Sequence, residues 1–165
     1  MDLTNPMHIA TKSSKIDITL EKDTESVSQK ISNYLTKGDS VFLYGEIGVG
    51  KTTFIRHLIN YLQNKQNYKI TEIPSPTFNI VHEYKIDELI ICHYDLYRVK
   101  SAMELKNIGL FENKKDSIIF VEWPEIITEK PKNTIELFFN YEENLSKRSL
   151  VISSNYKKGI FNEIK

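Results

Sequence analysis

The sequence has few of the features that mark secreted or membrane-bound proteins. It holds one cysteine, Cys92, among 165 residues, so no disulfide can form within the chain and a reducing compartment is expected. No apolar run approaches the roughly 20 residues that a membrane-spanning helix needs. The first residues lack the charged start and apolar stretch of a signal peptide. We therefore expect a cytoplasmic protein with no membrane association.

The sequence also lacks net charge. It has 22 Lys and Arg residues against 22 Asp and Glu residues, so no overall field attracts it to nucleic acid, although a local basic patch is compatible with this balance. A hydrophobic content of 40% and a charged content of 27% are those of a globular domain. The length predicts one domain over residues 16–165, preceded by a flexible segment at residues 1–15.

One stretch carries a specific chemical signal. Residues 45–52 read GEIGVGKT and fit G-x-x-x-x-G-K-[ST], the phosphate-binding loop. An apolar strand is predicted before it at Ser40–Tyr44 and a helix after it at Thr53–Leu62, which is the context that the motif requires. Chance matches in a chain of this size are expected on the order of once in a few hundred. The motif therefore predicts nucleotide binding.

The residue types of this loop suit a phosphate. Its glycines allow the backbone to curl so that N–H groups point inward, and the following helix adds partial positive charge at its N-terminus. Lys51 can reach the outer phosphates, and the Thr52 hydroxyl can ligate magnesium. The candidate nucleotide-binding residues of the loop are Glu46, Ile47, Gly48, Val49, Gly50, Lys51, Thr52 and Thr53.

The remaining patterns predict an α/β fold of the P-loop NTPase class. We expect a three-layer α/β/α sandwich with a mostly parallel sheet and one antiparallel hairpin, formed by Ile80–Ile86 and Leu89–Tyr94. Further strands are predicted near Ile16–Leu20, Ile118–Val121, Ile135–Phe139 and Ser149–Ser153. A first helix is expected to be capped at Asp23 or Thr24 and to end at Gly38, and a short one runs from Ala102 toward Gly109. The C-terminal residues 155–165 are interpreted as a solvated tail.

Four apolar residues, Ile118–Val121, deliver Glu122 to the end of a buried strand. Beside a phosphate loop this is the Walker B pattern, whose acid holds the magnesium shell or a water. Ligands of open α/β sheets lie at the carboxyl ends of strands, where Glu122 falls. Thr52 and Glu122 are therefore the candidate magnesium ligands.

The segment Pro74–Phe78 has two interpretations. Two prolines hold it extended, so composition alone favours a rigid loop. The alternative is a switch whose Thr77 approaches the γ-phosphate or magnesium. Asp95, at the end of the second hairpin strand, is well placed for a metal, although acids are common at strand ends.

Two other patterns predict little. The four histidines lack the tight spacing of a zinc site, and each is interpreted as a structural or surface residue. Residues 113–116 read NKKD and match the N-K-x-D motif of GTPases, but here the motif precedes a buried strand and the accompanying D-x-x-G is absent from the sequence. Guanine specificity is therefore disfavoured.

Four segments resemble, in order and at this chain length, the bacterial TsaE family (also called YjeE). They are GEIGVGKTTF at Gly45–Phe54, PSPTF at Pro74–Phe78, HYDLYR at His93–Arg98 and VEWPE at Val121–Glu125. The resemblance runs from about Leu20 to about Ser153. It implies an ATPase with low intrinsic activity that binds ATP or ADP with magnesium. It also implies that the protein supports repeated turnover by the TsaD–TsaB heterodimer in tRNA threonylcarbamoyladenosine (t6A) synthesis, contacting tRNA only through that complex.

The resemblance also implies residue roles. Lys51 and the loop backbone hold the phosphates, Thr52 and Glu122 serve magnesium, and Asp95 and Thr77 lie near the γ-phosphate or the partner. Trp123 lies beside the nucleotide, and Thr24 contacts the base. The catalytic candidates are thus Glu122, Asp95 and Thr77.

Two alternatives remain open from the sequence. A small-molecule P-loop kinase shares the loop and the size, but such kinases clamp the transferred phosphate with several arginines, and this chain has only Arg56, Arg98 and Arg148. A non-catalytic, nucleotide-dependent interaction module is the other alternative, against which Glu122 and Asp95 argue.

Overall fold

The computed structural model describes residues 10–112 and 114–164, and within them eight strands form one sheet accompanied by four α-helices. The strands are β1 (Thr11–Lys12), β2 (Ile16–Asp17), β3 (Ser40–Tyr44), β4 (Val81–Ile86), β5 (Leu89–Asp95), β6 (Ser117–Glu122), β7 (Thr134–Glu142) and β8 (Lys147–Ser154). The α-helices are α1 (Glu21–Ser32), α2 (Lys51–Lys65), α3 (Ala102–Asn107) and α4 (Ile160–Glu163). Short 3-10 helices cover Lys114–Asp116 and Pro124–Ile126.

The centre of the sheet is parallel and both of its edges are antiparallel. The order is β1-β8-β7-β3-β6-β5-β4, with β2 also pairing with β8. Strands β7, β3, β6 and β5 run parallel, whereas β4 pairs antiparallel with β5 and β8 with β7. The α/β class is confirmed, but antiparallel pairing is more extensive than predicted. The connection between β7 and β8 is too short for the crossover that a parallel pair needs.

Strand alternation divides the core between the two faces of the sheet. One face carries Val41 and Leu43 of β3 and packs against α1, α2 and α4. The other carries Phe42 of β3 and packs against Leu105 of α3 and Phe111 after it. The predicted three layers are therefore present, with the larger helices on the side of α2.

Helix α1 begins and ends earlier than predicted. Its N-cap is Leu20, in extended conformation, so the predicted caps Asp23 and Thr24 lie inside the first turn. An acid such as Asp23 is favoured there by the helix dipole as well as at the cap itself. The helix ends at Ser32, and Gly38 instead forms a turn at φ 91° whose N–H donates to Ser117 O at 2.8 Å.

Helix α3 matches its prediction closely. Ser101 is the N-cap, and its side chain accepts from the Glu104 N–H. The carboxylate of Glu104 accepts a hydrogen bond from the Lys100 N–H, whereas in the standard capping box it accepts from the N–H of the N-cap residue itself, here Ser101. The helix ends at Asn107, and Gly109 follows at φ 61°.

Both ends of the domain are more ordered than the sequence predicted. Thr11 and Lys12 pair with Ser154 and Ser153, which corrects the prediction of a flexible segment at these residues, while residues 1–9 lie outside the described chain. A two-residue strand shows no periodicity, so the pattern of the sequence does not reveal it.

The C-terminal segment is not a solvated tail. Lys157 Nζ lies 2.6 Å from Asp39 Oδ2 and also donates to Tyr34 O, and Ile160 is fully buried against the core. The basic residues of this stretch suggested solvent exposure, but the apolar Ile160 and Ile164 anchor it on the α1 side of the sheet. In the described part of the chain, no helix combines the length and apolar character that crossing a membrane requires.

We expect Lys157→Met to destabilise the fold by about 2–3 kcal/mol, because it leaves the buried Asp39 carboxylate without its cation. Lys158→Met, at the exposed neighbouring lysine, is the matched control and is expected to stay within about 0.5 kcal/mol of wild type. Urea unfolding of the three proteins measures the difference. Equal stability of both variants would show that the segment does not depend on this ion pair.

Candidate functional site

The loop between β3 and α2 is shaped by its glycines. Gly45 lies at φ 140°, and a Cβ atom there would come within 2.6 Å of Phe139 O on the neighbouring strand. Gly48 and Gly50 also have positive φ, at 76° and 115°. Between Glu46 and Gly50, only the Val49 N–H donates to a backbone carbonyl of the described chain, that of Glu46 at 3.4 Å. The loop therefore presents several unpaired N–H groups at the N-terminus of α2, the arrangement that binds anions.

Lys51 lies under this loop rather than in solvent. It is 4% exposed, and its ammonium donates to Gly45 O at 2.6 Å and to Glu46 O at 2.9 Å. It also lies 4.0 Å from the centre of the Trp123 ring. Burial lowers the pKa of Lys51, whereas the carboxylates of Glu122, Asp95 and Glu125 act in the opposite direction. These contacts hold a cation at the base of the loop.

Glu122, at the end of β6, contacts one residue of α2 and one residue of β5. Its Oε1 accepts from Thr52 Oγ1 at 2.8 Å and lies 2.8 Å from His93 Nε2. The carboxylate is 3% exposed and His93 is fully buried. The predicted pair Thr52 and Glu122 is thus brought together, and His93 is a neighbour that sequence reasoning did not assign to the site.

Asp95 lies beside Glu122, its register partner on β6, and holds the segment Pro74–Phe78. Its Oδ2 accepts from Thr77 Oγ1 at 2.6 Å and from Ser75 Oγ at 2.9 Å, and its Oδ1 accepts from the Tyr97 N–H at 3.0 Å. The segment forms no helix or strand, as predicted. The carboxylate therefore couples this segment to the strand that borders Glu122.

Trp123 follows Glu122 in the left-handed conformation, at φ 57° and ψ 56°. This conformation is rare outside glycine and asparagine, and its strain is typical of functional sites. The indole packs 4.9 Å from the Tyr97 ring, centre to centre, as well as against the Lys51 ammonium. Trp123 thus forms a wall of the site rather than part of the inner core.

These elements enclose a cleft of about 340 Å³ at the carboxyl ends of β3, β5 and β6. Its lining residues are Ile47, Gly48, Gly50, Lys51, Thr52, Thr53, Ser75, Thr77, Asp95, Tyr97, Glu122 and Trp123. Most of the predicted site residues are among them. Ser75 and Tyr97 were not predicted, although Ser75 lies in the segment that was singled out and Tyr97 follows Asp95 by two residues.

Three predicted residues do not line the cleft. Thr24 is buried in α1, where its hydroxyl donates to Ile18 O at 3.4 Å, and its contact with a base stays a prediction. Val49 belongs to the loop, but its side chain is buried in the core, so only its backbone is available to a ligand. The side chain of Glu46 is exposed at the loop surface.

His93 carried a signal that the sequence analysis did not use. It lies two residues before Asp95 on β5, so both side chains point to the same face of the sheet. That face also carries Glu122, because Asp95 and Glu122 are register partners.

The guanine motif lies at the other end of the sheet. Asn113 lies outside the described residues, and Lys114–Asp116 form a 3-10 helix just before β6. Six residue steps along β6 lead from Asp116 to Glu122, a distance of roughly 20 Å.

The cleft offers few protein ligands for magnesium, and this number fits an ion that is also bound by phosphate and water. In residues 10–112 and 114–164 no group of three or more His, Cys, Asp or Glu side chains is arranged to hold a metal. Thr52 and Glu122 together offer one hydroxyl and one carboxylate. This small set suits Mg²⁺, which usually keeps several waters and is bound by one or two carboxylates together with phosphate oxygens. The cleft thus fits a cation delivered with a phosphorylated ligand.

Comparisons with known proteins agree with this geometry. A solved structure of YdiB from Bacillus subtilis aligns with a TM-score of 0.70 at 20% identity, covering 95% of this chain and 96% of that one, which supports the P-loop NTPase-like fold. A Rickettsia conorii protein named tRNA threonylcarbamoyladenosine biosynthesis protein TsaE is 33% identical over 146 residues, covering 79% of this chain and 81% of that protein. A protein of the same name from Aquifex aeolicus is 34% identical, covering 77% and 87%.

The family model described as Threonylcarbamoyl adenosine biosynthesis protein TsaE matches residues 18–150. This match contains the glycine loop, the Pro74–Phe78 segment, Asp95 and Glu122, the same parts that form the cleft. Most of the chain is covered, and the chain therefore belongs to the TsaE family.

Proposed function

We propose that this protein is the ATP-binding and ATP-hydrolysing component of a bacterial t6A modification system, acting in the cytoplasm with TsaD and TsaB. The observation that carries the proposal is the hydrogen bond of 2.8 Å between Thr52 and Glu122. It joins the last residue of the glycine loop to the acid at the end of β6 in a single cleft. Family membership supports the pathway and the partners.

The roles within the cleft follow from position and charge. The loop amides and the Lys51 ammonium bind the phosphates of ATP or ADP, since both lie at the positive end of α2. Thr52 and Glu122 hold Mg²⁺, which when bound neutralises charge on the phosphates. Glu122 and Asp95 are the acids available to orient a water.

The segment Pro74–Phe78 reports on the nucleotide. Ser75 and Thr77 are tied to Asp95, which lies next to Glu122 in the sheet, so a change at the phosphate end of the cleft reaches the segment through one carboxylate. Order changes of this kind are how many nucleotide switches signal to partners. TsaD and TsaB are the partners that receive this signal, and tRNA is contacted only through them.

The arginines disfavour the small-molecule kinase. Arg98 lies over the Phe78 ring at 5.4 Å and Arg148 over the Tyr141 ring at 5.8 Å, while Arg56 is exposed on α2. None of the three lines the cleft, whereas kinases of this size clamp the transferred phosphate with arginines.

The first prediction of the proposed function concerns nucleotide binding. ADP with magnesium should change the emission of Trp123 in a saturable way, because the indole contacts Lys51 and lines the cleft.

Lys51→Ala should weaken ADP affinity by about 2–5 kcal/mol, or roughly 30-fold or more. Lys65→Ala, at the other end of α2, is the control and should bind as wild type does. Calorimetry that finds unchanged ADP affinity in a folded Lys51→Ala protein would contradict the role of the loop.

The second prediction separates binding from turnover and tests the function itself. Glu122→Gln should retain ADP binding through the loop and Lys51, but lose hydrolysis in the presence of TsaD and TsaB by about 100-fold or more. Glu129→Gln, at an exposed acid outside the cleft, serves as the control. Steady-state ATPase and t6A formation assays decide the matter. If wild-type protein neither hydrolyses ATP nor supports repeated t6A formation with these partners, the proposal is wrong.

The third prediction addresses the switch. Thr77→Val removes the hydroxyl that donates to Asp95 and should lower partner-stimulated hydrolysis by about tenfold while leaving ADP affinity nearly unchanged. Thr71→Val also removes a bonded hydroxyl, in this case the partner of Gln63 outside the cleft, and should have no such effect. Equal losses of ADP affinity and hydrolysis in Thr77→Val would favour the rigid-loop interpretation of the segment.

A further inference from the structure

His93 is the buried polar residue whose contacts the proposed mechanism does not use. It lies fully buried on β5, and its Nε2 is 2.8 Å from Glu122 Oε1. An ionised carboxylate only accepts hydrogen bonds, so the ring donates through Nε2. Its Nδ1 is buried and has no hydrogen-bond partner in the described part of the chain. The bond to Glu122 is therefore the polar contact that accounts for a histidine at this position.

The geometry points to His93 as a positioning residue for Glu122. We propose that its Nε2–H holds Oε1 of the carboxylate, and so directs the carboxylate toward the cation that Glu122 and Thr52 bind. This inference rests on the proposed function. His93 does not line the cleft, so it acts through Glu122 and does not touch a ligand itself.

The two bonds to Oε1 differ in what else their donors do. Thr52 lines the cleft and is itself a candidate ligand of the cation, so its hydroxyl has a second task. His93 is held inside the sheet between neighbouring strands and is committed to Glu122 alone. Glu122 Oε2 has no hydrogen-bond donor among the described residues, so it is the carboxylate oxygen left free to bind a cation. Such outer contacts typically change metal affinity 10- to 100-fold when they are removed.

The sheet explains why a histidine reaches this carboxylate. His93 and Asp95 point to the same face from β5, and Glu122 is in register with Asp95 on the parallel strand β6. His93 is in register with Phe120, two residues before Glu122, and its far nitrogen, Nε2, meets Oε1 across this offset. A shorter side chain at this position would leave its donor atom away from the carboxylate.

The test compares two amide variants that differ in reach. The amide of His93→Gln falls near the position of Nε2, whereas that of His93→Asn falls near Nδ1, one atom short of Glu122. ADP affinity is measured by calorimetry in EDTA and over a series of MgCl₂ concentrations. In EDTA, all variants should match wild type, because the loop amides and Lys51 hold the phosphates. With MgCl₂, His93→Asn should need about tenfold more magnesium than wild type for half of the gain in affinity, and His93→Gln should lie close to wild type.

His57→Asn is the matched control. His57 also bonds a glutamate, Glu21, at 2.9 Å, but it does not line the cleft, and its variant should show wild-type magnesium dependence. If His93→Asn also shows wild-type dependence, or if it loses affinity equally in EDTA and in MgCl₂, His93 does not position Glu122. A wild-type protein that binds ADP no more tightly with magnesium would instead refute the magnesium site of the proposed function, and this inference with it.

Discussion

The site depends on the parallel register of three neighbouring strands. Leu43 of β3 and Asp95 of β5 are both register partners of Glu122 on β6. The glycine loop leaves β3 immediately after this level, so its N–H groups, the two carboxylates and the N-terminus of α2 meet at one edge of the sheet. A shift of one residue in the pairing of β5 with β6 would place Asp95 and Glu122 on opposite faces of the sheet, so that only one of them could lie on the side of α2.

Features with a local cause could be predicted from the sequence. The strand Ser40–Tyr44 and the hairpin of β4 and β5 follow from short-range patterns, and Ser101 caps its helix as the capping box indicates. Features that depend on distant partners could not. The ion pair of Lys157 with Asp39 joins residues 118 positions apart, and its strength depends on a burial that composition does not reveal.

The candidate site divides in the same way. Lys51 and Thr52 are fixed by a motif whose geometry is local, and Glu122 follows from a buried strand next to that motif. The contacts of His93 and Ser75 depend on which strands are neighbours and in what register, which a single sequence does not specify. A histidine two residues before an acid on one strand indicates a shared face, and this alternation was the available signal for His93.

Several polar side chains of the cleft already form hydrogen bonds, whereas the N–H groups of the loop remain unpaired, and this difference constrains how a ligand binds. Lys51 donates to two loop carbonyls, Thr52 to Glu122, and Ser75 and Thr77 to Asp95. A phosphate that binds Lys51 or Thr52 exchanges existing hydrogen bonds for new ones, so the net gain in binding free energy is smaller than the count of new bonds suggests.

The exchange of hydrogen bonds at the loop also bears on the segment Pro74–Phe78. Thr52 shares Oε1 of Glu122 with His93, and Asp95, the register partner of Glu122, holds Ser75 and Thr77. In the proposed function, a rearrangement at the loop reaches the segment Pro74–Phe78 through these two acids. The proposed switch thus links nucleotide binding to this segment by way of Glu122 and Asp95, which are register partners in the sheet.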